Sequence, residues 1–593
     1  MGSLLSAIAL QPAYLATQAK FPDVKVVAIQ DDCNLIGTAQ QVLHAADFLT
    51  KDLRKLGATT NPTKTKILWP HDEEAPLLLR EWARHHGLHV LAVANINGTV
   101  IGRRDEVPDM AADILAKEDL VHQRLRLPAV GAQHAMLALR AACNQQPVYL
   151  TRTIDHQLTS KAMLHHDRNM YTTLATIAND PTLTPQEEDP FPERDFVKHI
   201  ASLPLRHGGI GLMQRHKPEH AAAAHIGSWI NALQYLDNPD VADKHPAHRR
   251  SLNQAFALLH RQADADEQMQ RQVSSLFTLE QLRQLSVDHN PSRALADIAI
   301  AVRPGQQHPS LKPGYHKAQT TLMRALQAAA AKRIESTSPD MRVLLQATSA
   351  KASYAWLLAV PQQDCEDDLT LDNTDLRIAL ALRLGTSPAH PDLAKHLGMC
   401  PCERVCLADN PAHALACKHN QGFVTQRHDQ VVATLARYAR IAEIPCKVEP
   451  SGTELQGRPN NKPDLRITLA NKRTYVDARI VNCLAPSNRA RALTQLAVAD
   501  KAAKDKTNKW APKATAVGAT FVPFVAETPG GLHKQAVGLI KAIAAACSDY
   551  AMYSRLEMLT TLTQAVAVAI QRGNARILKE AWRRDQEGPI RLL

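Results

Sequence analysis

The sequence has few aromatic residues and no long apolar run, and both absences narrow the possible classes of protein. Aromatic residues make up 4% of the chain, whereas alanine-rich patterns of helical period are frequent, so we expect a predominantly helical protein. No apolar stretch reaches the roughly 18–20 residues that cross a bilayer, so we predict no membrane partner. The apolar first ten residues lack a basic segment and make a poor signal peptide.

Cysteine is present, but it is not distributed as a disulfide framework would require. Of the 10 cysteines, Cys400, Cys402, Cys406 and Cys417 crowd into one short window that also holds His413. Clustering beside a histidine is typical of a metal site. Because the sequence also lacks an export signal, we expect a reducing compartment and thiols that are free to bind metal.

Length and positive charge are the main signals in the bulk composition. A chain of 593 residues is too long for one compact core, so we expect several domains. The net charge of +11 favours a polyanionic partner, with nucleic acid as the first choice. A generic basic protein would have the same balance, so charge alone does not decide between the two.

The sequence of the N-terminal region predicts two hairpins and an amphipathic helix. Two short apolar runs, "VKVVAI" and "CNLIG", flank the acidic pair Asp31-Asp32. A helix follows, with leucines at three- and four-residue spacings, and Gly57 is its predicted C-terminal cap. Residues 88–102 are predicted to form a hairpin that turns at Asn97-Gly98.

In the remainder of the chain, the pattern of predicted secondary structure changes near residue 396. Before that point the pattern is helical and is interrupted by proline-rich loops and by "LPLRHGGIGL" at residues 203–212. After it, β-type and helical runs alternate, which predicts an α/β region. We expect strands at 464–469, 474–482 and 519–525, and helices at 531–548 and 555–582.

The cysteine–histidine window has the spacing of a zinc site. Zinc takes four thiolate or imidazole ligands, usually as two close pairs that a loop brings together. The candidate ligands are Cys400, Cys402, His413 and Cys417, with Cys402-x₃-Cys406 as a rival first pair and His419 in reserve. The plain alternative is a set of reduced, buried cysteines.

Two aspartates downstream can form a second kind of metal site. Asp464 follows a proline at the start of one β-type run, and Asp477 lies inside the next. If the two runs pair as a hairpin, both carboxylates project near one strand end, where they can share Mg²⁺ or Mn²⁺. A metal held in this way activates water for phosphodiester cleavage. A Pro-Asp turn and a buried strand aspartate also occur without any such role.

Such a site also needs a cation to stabilise the developing charge. The segment "DKAAKDKTNKW" offers Lys501, Lys504, Lys506 and Lys509, and Arg479 is another possibility. The residues do not decide among them, and we carry Lys506 forward as the first candidate for the catalytic lysine and Lys509 as a contact to nucleic acid.

In order along the chain, these motifs resemble the C-terminal half of a non-LTR retrotransposon reverse transcriptase with a restriction-like endonuclease. "GSLLSAIALQP" and "VVAIQDDCNLIG" look like the end of the template-gripping motif and the catalytic Asp-Asp hairpin. "LGATTNPTKTKIL" and "VANINGTVIG" are similar to the next palm motif and the primer grip, and "LPLRHGGIGL" to the segment after the thumb. The cysteine–histidine window, the acidic motifs and "FVPFVAETPGG" resemble the zinc knuckle and nuclease core.

The resemblance implies a fold class and a set of domains. The fold is a predominantly helical α+β multidomain chain with a PD-(D/E)XK-like α/β nuclease. The implied domains are a partial palm at 1–108, thumb and linker helices at 109–235, a helical linker region at 236–394, a zinc knuckle at 395–425, the endonuclease at 426–550 and a C-terminal helix at 551–593.

The resemblance also implies a role for individual residues. Asp31 and Asp32 would be polymerase metal ligands, and Lys64 a nearby charge that contacts nucleic acid. Asp464 and Asp477 would bind the divalent cation of the nuclease, and Glu449 would join them in catalysis, whereas the resemblance does not fix which lysine completes the site. Arg427 and His428 would be supporting contacts either to DNA or in the active site, Arg479 and Lys509 would contact nucleic acid, and Cys400, Cys402, His413 and Cys417 would hold zinc.

The chain also departs from the family pattern in its polymerase half. It begins in the middle of the palm, without the fingers and without the strand that carries the other catalytic aspartate, and Ile29 replaces an aromatic residue. Two-metal phosphoryl transfer needs carboxylates from both strands, and loss of that strand exposes a sheet edge. We therefore expect an inactive polymerase half, which would recover its chemistry only if the reading frame continued upstream.

Three functions remain open at this level. The first is a metal-dependent DNA nickase that acts in the nucleus on a DNA target and, in a full-length relative, primes reverse transcription of the element RNA. The second is a zinc-containing remnant that binds nucleic acid without chemistry. The third is a polymerase. A lysine beside Asp464 and Asp477 in the fold would argue for the first over the second.

Overall fold

The structure is a computed structural model, and it describes residues 2–29, 32–236, 238–301, 310–361, 368–388, 398–457, 460–547 and 553–587. These residues form two compact units, Met1–Ala116 with Tyr149–Ala162, and Lys117–Val148 with Met163–Leu593. The first predicted boundary, at 108, lies near the end of the first segment. The other predicted boundaries fall inside the second unit, and the finer division stays a prediction.

Helices dominate both units, which confirms the predicted predominantly helical α+β class. The α-helices are α1 (Gly2–Lys20), α2 (Ala39–Lys55), α3 (Leu77–His85), α4 (Val107–Ala116), α5 (Asp119–Leu125), α6 (Ala132–Ala141), α7 (Val148–Thr153), α8 (His156–Ala178), α9 (Phe196–Ser202), α10 (Pro218–Leu233), α11 (Asp240–Asp243), α12 (Pro246–Ala265), α13 (Glu267–Val273), α14 (Leu279–Leu285), α15 (Pro291–Ala299), α16 (Ala318–Thr337), α17 (Pro339–Thr348), α18 (Asn373–Leu384), α19 (Gln421–Ile441), α20 (Arg489–Ala492), α21 (Ala497–Ala516), α22 (Lys534–Ala545) and α23 (Arg555–Glu587). In the described ranges, no helix has an apolar stretch of the length that a bilayer crossing requires.

The strands are short outside the C-terminal region. They are β1 (Lys25–Ile29), β2 (Asp32–Ile36), β3 (Ile67–Leu68), β4 (Val90–Leu91), β5 (Val93–Ile96), β6 (Thr99–Gly102), β7 (Ile300–Ala301), β8 (Ser310–Leu311), β9 (Cys446–Val448), β10 (Leu465–Leu469), β11 (Lys472–Val481) and β12 (Thr520–Glu527). Short 3₁₀ helices occur at Cys143–Gln145, Pro181–Leu183, Leu205–His207, Tyr315–Lys317, Ala355–Leu358, Pro411–Ala416, Lys418–Asn420, Gly452–Leu455 and Pro486–Asn488.

The first unit contains both predicted hairpins. β1 and β2 pair antiparallel, with Ile29 opposite Asp32, and over the described residues they form a sheet of two strands. β5 and β6 form the second hairpin, where Asn97 (φ 51°) and Gly98 (φ 83°) supply the left-handed turn that a two-residue loop needs. The predicted helix is α2, and Gly57 follows its end with φ 76°.

The second unit holds a large mixed core and a separate helical core. Helices α10 and α12 to α16 bury their own cluster, which includes Phe256 and Phe277. The main core joins α6, α8, α18, α19 and α23 to the C-terminal sheet. The glycine-rich segment 203–212 runs through this core. Its backbone is tightly packed, since a side chain at Gly209 would collide with the carbonyl oxygens of Ile200 and Leu203.

The C-terminal sheet has four strands in the order β12-β11-β10-β9. β10 and β11 are an antiparallel hairpin with Leu465 opposite Val476, and β11 runs parallel to β12. The three strands predicted from the sequence are thus confirmed to within about three residues, and they pair as the metal-site hypothesis requires. Helix α19 packs against β9 to β11 and against α23, whereas α21 packs against β11 and β12.

Candidate metal centres

The cysteine–histidine cluster closes into one group of four ligand atoms. Cys400, Cys402, His413 and Cys417 each offer one donor atom, and all four atoms lie within 4.8 Å of one another. The sulfur of Cys402 lies 3.2 Å from Nε2 of His413. Three sulfurs and one imidazole nitrogen form a donor set that suits tetrahedral zinc, so this group can hold a metal such as zinc.

Local backbone structure explains which cysteines converge. The amide of Cys400 donates to the carbonyl of Val405 at 2.9 Å and closes a turn that carries Cys402. Cys406 lies on the return arm, opposite Met399, and does not belong to the converging group. The rival pairing through Cys406 therefore lies outside this group, and so does His419.

Of the second ligand pair, His413 lies within the 3₁₀ helix Pro411–Ala416 and Cys417 follows its end. Cys400 and Cys417 are 1% and 7% exposed, and burial raises the pKa of the Cys400 thiol to about 12. A buried thiol of this kind becomes a thiolate when a cation compensates its charge, as a metal does.

Arg427 of α19 joins the cysteine cluster to α23 and does not face solvent. Its side chain is 2% exposed, and it donates to Oδ1 of Asn574 at 2.8 Å and to the carbonyl of Leu415 at 3.2 Å. Gly573 leaves the space that this side chain occupies against α23. The predicted contact with nucleic acid is thus corrected to an internal bridge, because the guanidinium is enclosed by protein.

Asp464 and Asp477 lie side by side on the β10–β11 hairpin. The amide of Asp464 donates to the carbonyl of Val476 at 3.0 Å, and the carboxylate of Asp464 accepts from the amide of Ala478. Asp464 therefore contacts the residues on either side of Asp477. Asp477 itself is 4% exposed.

Burial and like charge set the electrostatics of this pair. The pKa of Asp477 is raised, first by burial and then by the charge of Asp464, although Lys506 and Lys509 oppose the shift. Two adjacent carboxylates, one of them buried, favour a nearby cation. Their hard oxygen donors fit a divalent cation such as Mg²⁺.

Periodicity of the strand and the helix places Lys506 against Asp477. Alternate residues of β11 face the same side, and two neighbours of Asp477 on that side, Tyr475 and Val481, pack against α21. Tyr475 meets Trp510, and Val481 lies in one cluster with Ala503.

Lys506 lies between these two contacts on the same face of α21. Its ammonium group pairs with the Asp477 carboxylate. Lys501, Lys504 and Lys509 are exposed. The sequence signal that singles out Lys506 is therefore the apolar spacing Ala503-x₂-Lys506-x₃-Trp510.

His428 reaches the pair from α19. Its Nε2 lies 3.2 Å from Oδ2 of Asp464, and its Nδ1 lies 3.0 Å from Oδ1 of Asp429. The hydrogen bond to Asp464 is the main cause that raises the pKa of His428 to about 9. The His428 side chain thus contacts Asp464 directly. This contact is consistent with the second of its two predicted roles, a supporting contact in the active site.

Three other predicted residues surround the pair at the surface. Glu449 donates its amide to the carbonyl of Asp464 at 2.7 Å, but its carboxylate pairs with Lys462 at 2.6 Å and is 61% exposed. It does not form a three-carboxylate group with the aspartates in the described structure. Arg479 is exposed two residues after Asp477, and Lys509 lies 4.3 Å over the Trp510 ring.

The predicted polymerase residues have a different setting. Asp31 lies outside the described residues, and Asp32 is exposed at the start of β2. Lys64 lies in the turn that begins at Asn61 and is also exposed. Within the described part of the first unit, no group of three metal-binding side chains forms around Asp32.

One cluster in the second unit was not predicted, and it consists of Glu118, His122 and His166. The Glu-x₃-His spacing of its first two members places them on one helix face and is visible in the sequence. The third member comes from α8, so only the packing of the helices brings it close.

Comparisons of this chain with protein-family models and with curated proteins found no match.

Proposed function

We propose that the chain is a retrotransposon-derived reverse transcriptase–endonuclease fragment whose second unit nicks DNA with a divalent cation. The observation that carries the proposal is the pairing of Lys506 with the buried Asp477, beside Asp464, at one end of a strand pair. Metal-dependent hydrolysis of a phosphodiester needs carboxylates for the metal and a cation for the developing charge, and this site brings a carboxylate pair and a lysine together. No polymerase activity is proposed for the chain.

The proposed roles follow from the contacts of each side chain. Asp464 and Asp477 would hold Mg²⁺ or Mn²⁺, which when bound lowers the pKa of water and stabilises charge on phosphate oxygens. Lys506 would place its ammonium group beside the scissile phosphate and stabilise the charge that develops there. His428 would fix the orientation of Asp464 through the 3.2 Å hydrogen bond.

The proposed substrate is a DNA target, and the nick would serve to prime reverse transcription of element RNA in a full-length relative. The net charge of +11 supports a polyanionic partner. Exposed Arg479 and Lys509 lie beside Asp477 and can contact phosphates on either side of a cleavage point. Such a substrate also supports a nuclear location for the protein.

A zinc-containing remnant that binds nucleic acid without chemistry is the alternative. The same four metal-binding side chains and the same positive charge support it. The lysine beside the two aspartates argues against it, because a binding protein has no need to bury a carboxylate against an ammonium group. We therefore favour the nickase.

Nicking of supercoiled plasmid by the full chain tests the proposal. With Mg²⁺ or Mn²⁺ we expect open circles to form, and EDTA should stop the reaction. Asp464→Asn and Asp477→Asn keep the side-chain size but remove a metal ligand. Loss of a residue that only supports a ligand lowers activity by up to about 100-fold, so nicking by these variants should fall by at least about that factor.

Asp505→Asn is the matched control, because Asp505 is an exposed acid on the same helix as Lys506. It should nick at the wild-type rate. Equal nicking by all three variants would reject the assignment of the site. Salt-sensitive DNA binding without any nicking, by wild type as well, would favour the non-catalytic remnant.

A further inference from the structure

A second group of metal-binding side chains lies in the second unit, built from elements other than those of the cysteine cluster. Glu118 directly precedes α5, His122 lies on α5 and His166 lies on α8. Their exposed fractions are 9%, 0% and 2%. One donor atom from each residue lies within 4.8 Å of the other two.

The hydrogen bonds of these residues leave two nitrogens without a partner. Nδ1 of His166 lies 3.1 Å from Oε2 of Glu118, and Nδ1 of His122 lies 3.0 Å from the hydroxyl of Thr173. In the described part of the chain, neither Nε2 has a hydrogen-bond partner, although both are buried. Buried polar atoms without partners are rare in folded proteins and call for an explanation.

A transition-metal ion accounts for the unpartnered Nε2 of His122. Two imidazole nitrogens and one carboxylate oxygen are the donors that zinc takes when it keeps a fourth position for water. The bond of His122 to Thr173 leaves Nε2 as the nitrogen that can bind, which is how hydrogen-bonded partners orient metal-binding histidines.

We propose that Glu118, His122 and His166 bind a divalent transition-metal ion, zinc by donor set, that joins α5 to α8. Donors about 2.0–2.2 Å from a tetrahedral ion lie about 3.4 Å apart. Nδ1 of His166 and Oε2 of Glu118 already meet at 3.1 Å, so His166 would bind through Nδ1 and His122 through Nε2, and the group as a whole lies within 4.8 Å. Binding therefore needs side-chain movements of about an ångström and no change in the helices. This site is independent of the proposed nuclease function.

The zinc content of the full chain tests the site. After dialysis against metal-free buffer, elemental analysis of the wild type should find one zinc for the cysteine cluster and one for this site. His122→Leu and His166→Leu should each lose one of the two. Cys417→Ser should lose the other and keep the one at the histidines.

His165→Leu is the matched control, because His165 adjoins His166 on α8 but is 51% exposed and pairs with Asp119. It should keep the wild-type zinc content. If His122→Leu and His166→Leu also kept it, the group would be a hydrogen-bonded cluster without metal and the proposal would be overturned.

Cobalt provides a reading that does not depend on folding of the histidine variants. In a chain that carries Cys402→Ser and Cys417→Ser, Co²⁺ should bind with the weak visible absorption of nitrogen and oxygen ligands and without thiolate charge transfer. Absence of such a spectrum, in a chain that is folded by circular dichroism, would reject the site.

Discussion

Asp32 and Asp477 both lie on antiparallel hairpins, yet the two hairpins give their carboxylates opposite surroundings. Asp32 is exposed at the start of β2, in a sheet that has two strands over the described residues. Asp477 is 4% exposed inside a four-stranded sheet, beside a second carboxylate and a lysine. A hairpin fixes only the position of a carboxylate. Helices packed on the sheet bury the carboxylate and provide the countercharge that metal chemistry needs.

The two aspartates also differ in how far away in the sequence the residues that surround them lie. His428 of α19 contacts Asp464, Lys506 of α21 pairs with Asp477, and Arg427 of α19 contacts the cysteine cluster through the carbonyl of Leu415. Substitutions can remove such supports one at a time. Each one should affect the second unit and leave the Asp32 hairpin unchanged.

The largest expected effect comes from Cys417→Ser. Loss of one ligand should release zinc, and because structural zinc contributes about 10–16 kcal/mol of apparent binding free energy, the second unit should lose at least about 3 kcal/mol of stability. Thermal unfolding and zinc analysis measure this. Cys406→Ser, outside the converging group, should change neither, and equal losses in both variants would mean that the ligand set is wrong.

Lys506→Gln should have the next largest effect, on nicking rather than on folding. Removal of one preorganised group that stabilises developing charge costs about 100- to 1,000-fold in rate. The initial rate of plasmid nicking measures it. Lys501→Gln, an exposed lysine on the same helix, should nick at the wild-type rate, and a loss of similar size in Lys501→Gln would assign the role to another lysine.

Glu527→Gln tests how burial acts on a third carboxylate of the same sheet. Glu527 is 2% exposed, and burial raises its pKa from 4.5 to about 7. Because the folded pKa is the higher one, ionisation destabilises the fold, and the penalty grows between about pH 4.5 and 7 and is constant above. The variant should be more stable than wild type by up to about 3 kcal/mol at pH 8.

At pH 4.5 the gain from Glu527→Gln should nearly vanish. Denaturant unfolding at the two pH values measures the difference. A gain that is the same at both values would mean that Glu527 is not held in a raised-pKa environment.

Lys509→Ala should have the smallest effect. Loss of one phosphate contact should weaken DNA binding and lower the slope of log K against log[salt] by about one. Fluorescence anisotropy at several salt concentrations measures the slope. Lys472→Ala, an exposed lysine at the start of β11, is the control, and an equal change there would indicate a diffuse charge effect.

Local patterns in the sequence predicted the elements well, because the signals for strands and turns lie within a few residues. The alternation after Asp464 predicted β10 and β11, and Asn97-Gly98 predicted the turn between β5 and β6. The four converging side chains that can hold a metal such as zinc were predicted because all of them lie in one short window. The resemblance to a retrotransposon protein stays a prediction.

Contacts between distant segments were predicted less well. The burial of Arg427 depends on Asn574 of α23 and on the carbonyl of Leu415, and nothing near Arg427 in the sequence signals either partner. His166 joins Glu118 and His122 only through the packing of α8. Lys506 was one of four candidate lysines until the contacts of Trp510 and Ala503 fixed the face of α21.

Binding of Mn²⁺ to the full chain, after its zinc sites are saturated, tests most directly whether the second unit holds the divalent cation. Titration calorimetry of wild type, Asp32→Asn and Asp477→Asn makes the comparison in one experiment. We predict that Asp32→Asn binds Mn²⁺ as wild type does and that Asp477→Asn has lost the site. Binding that Asp477→Asn retains and Asp32→Asn loses would contradict this assignment.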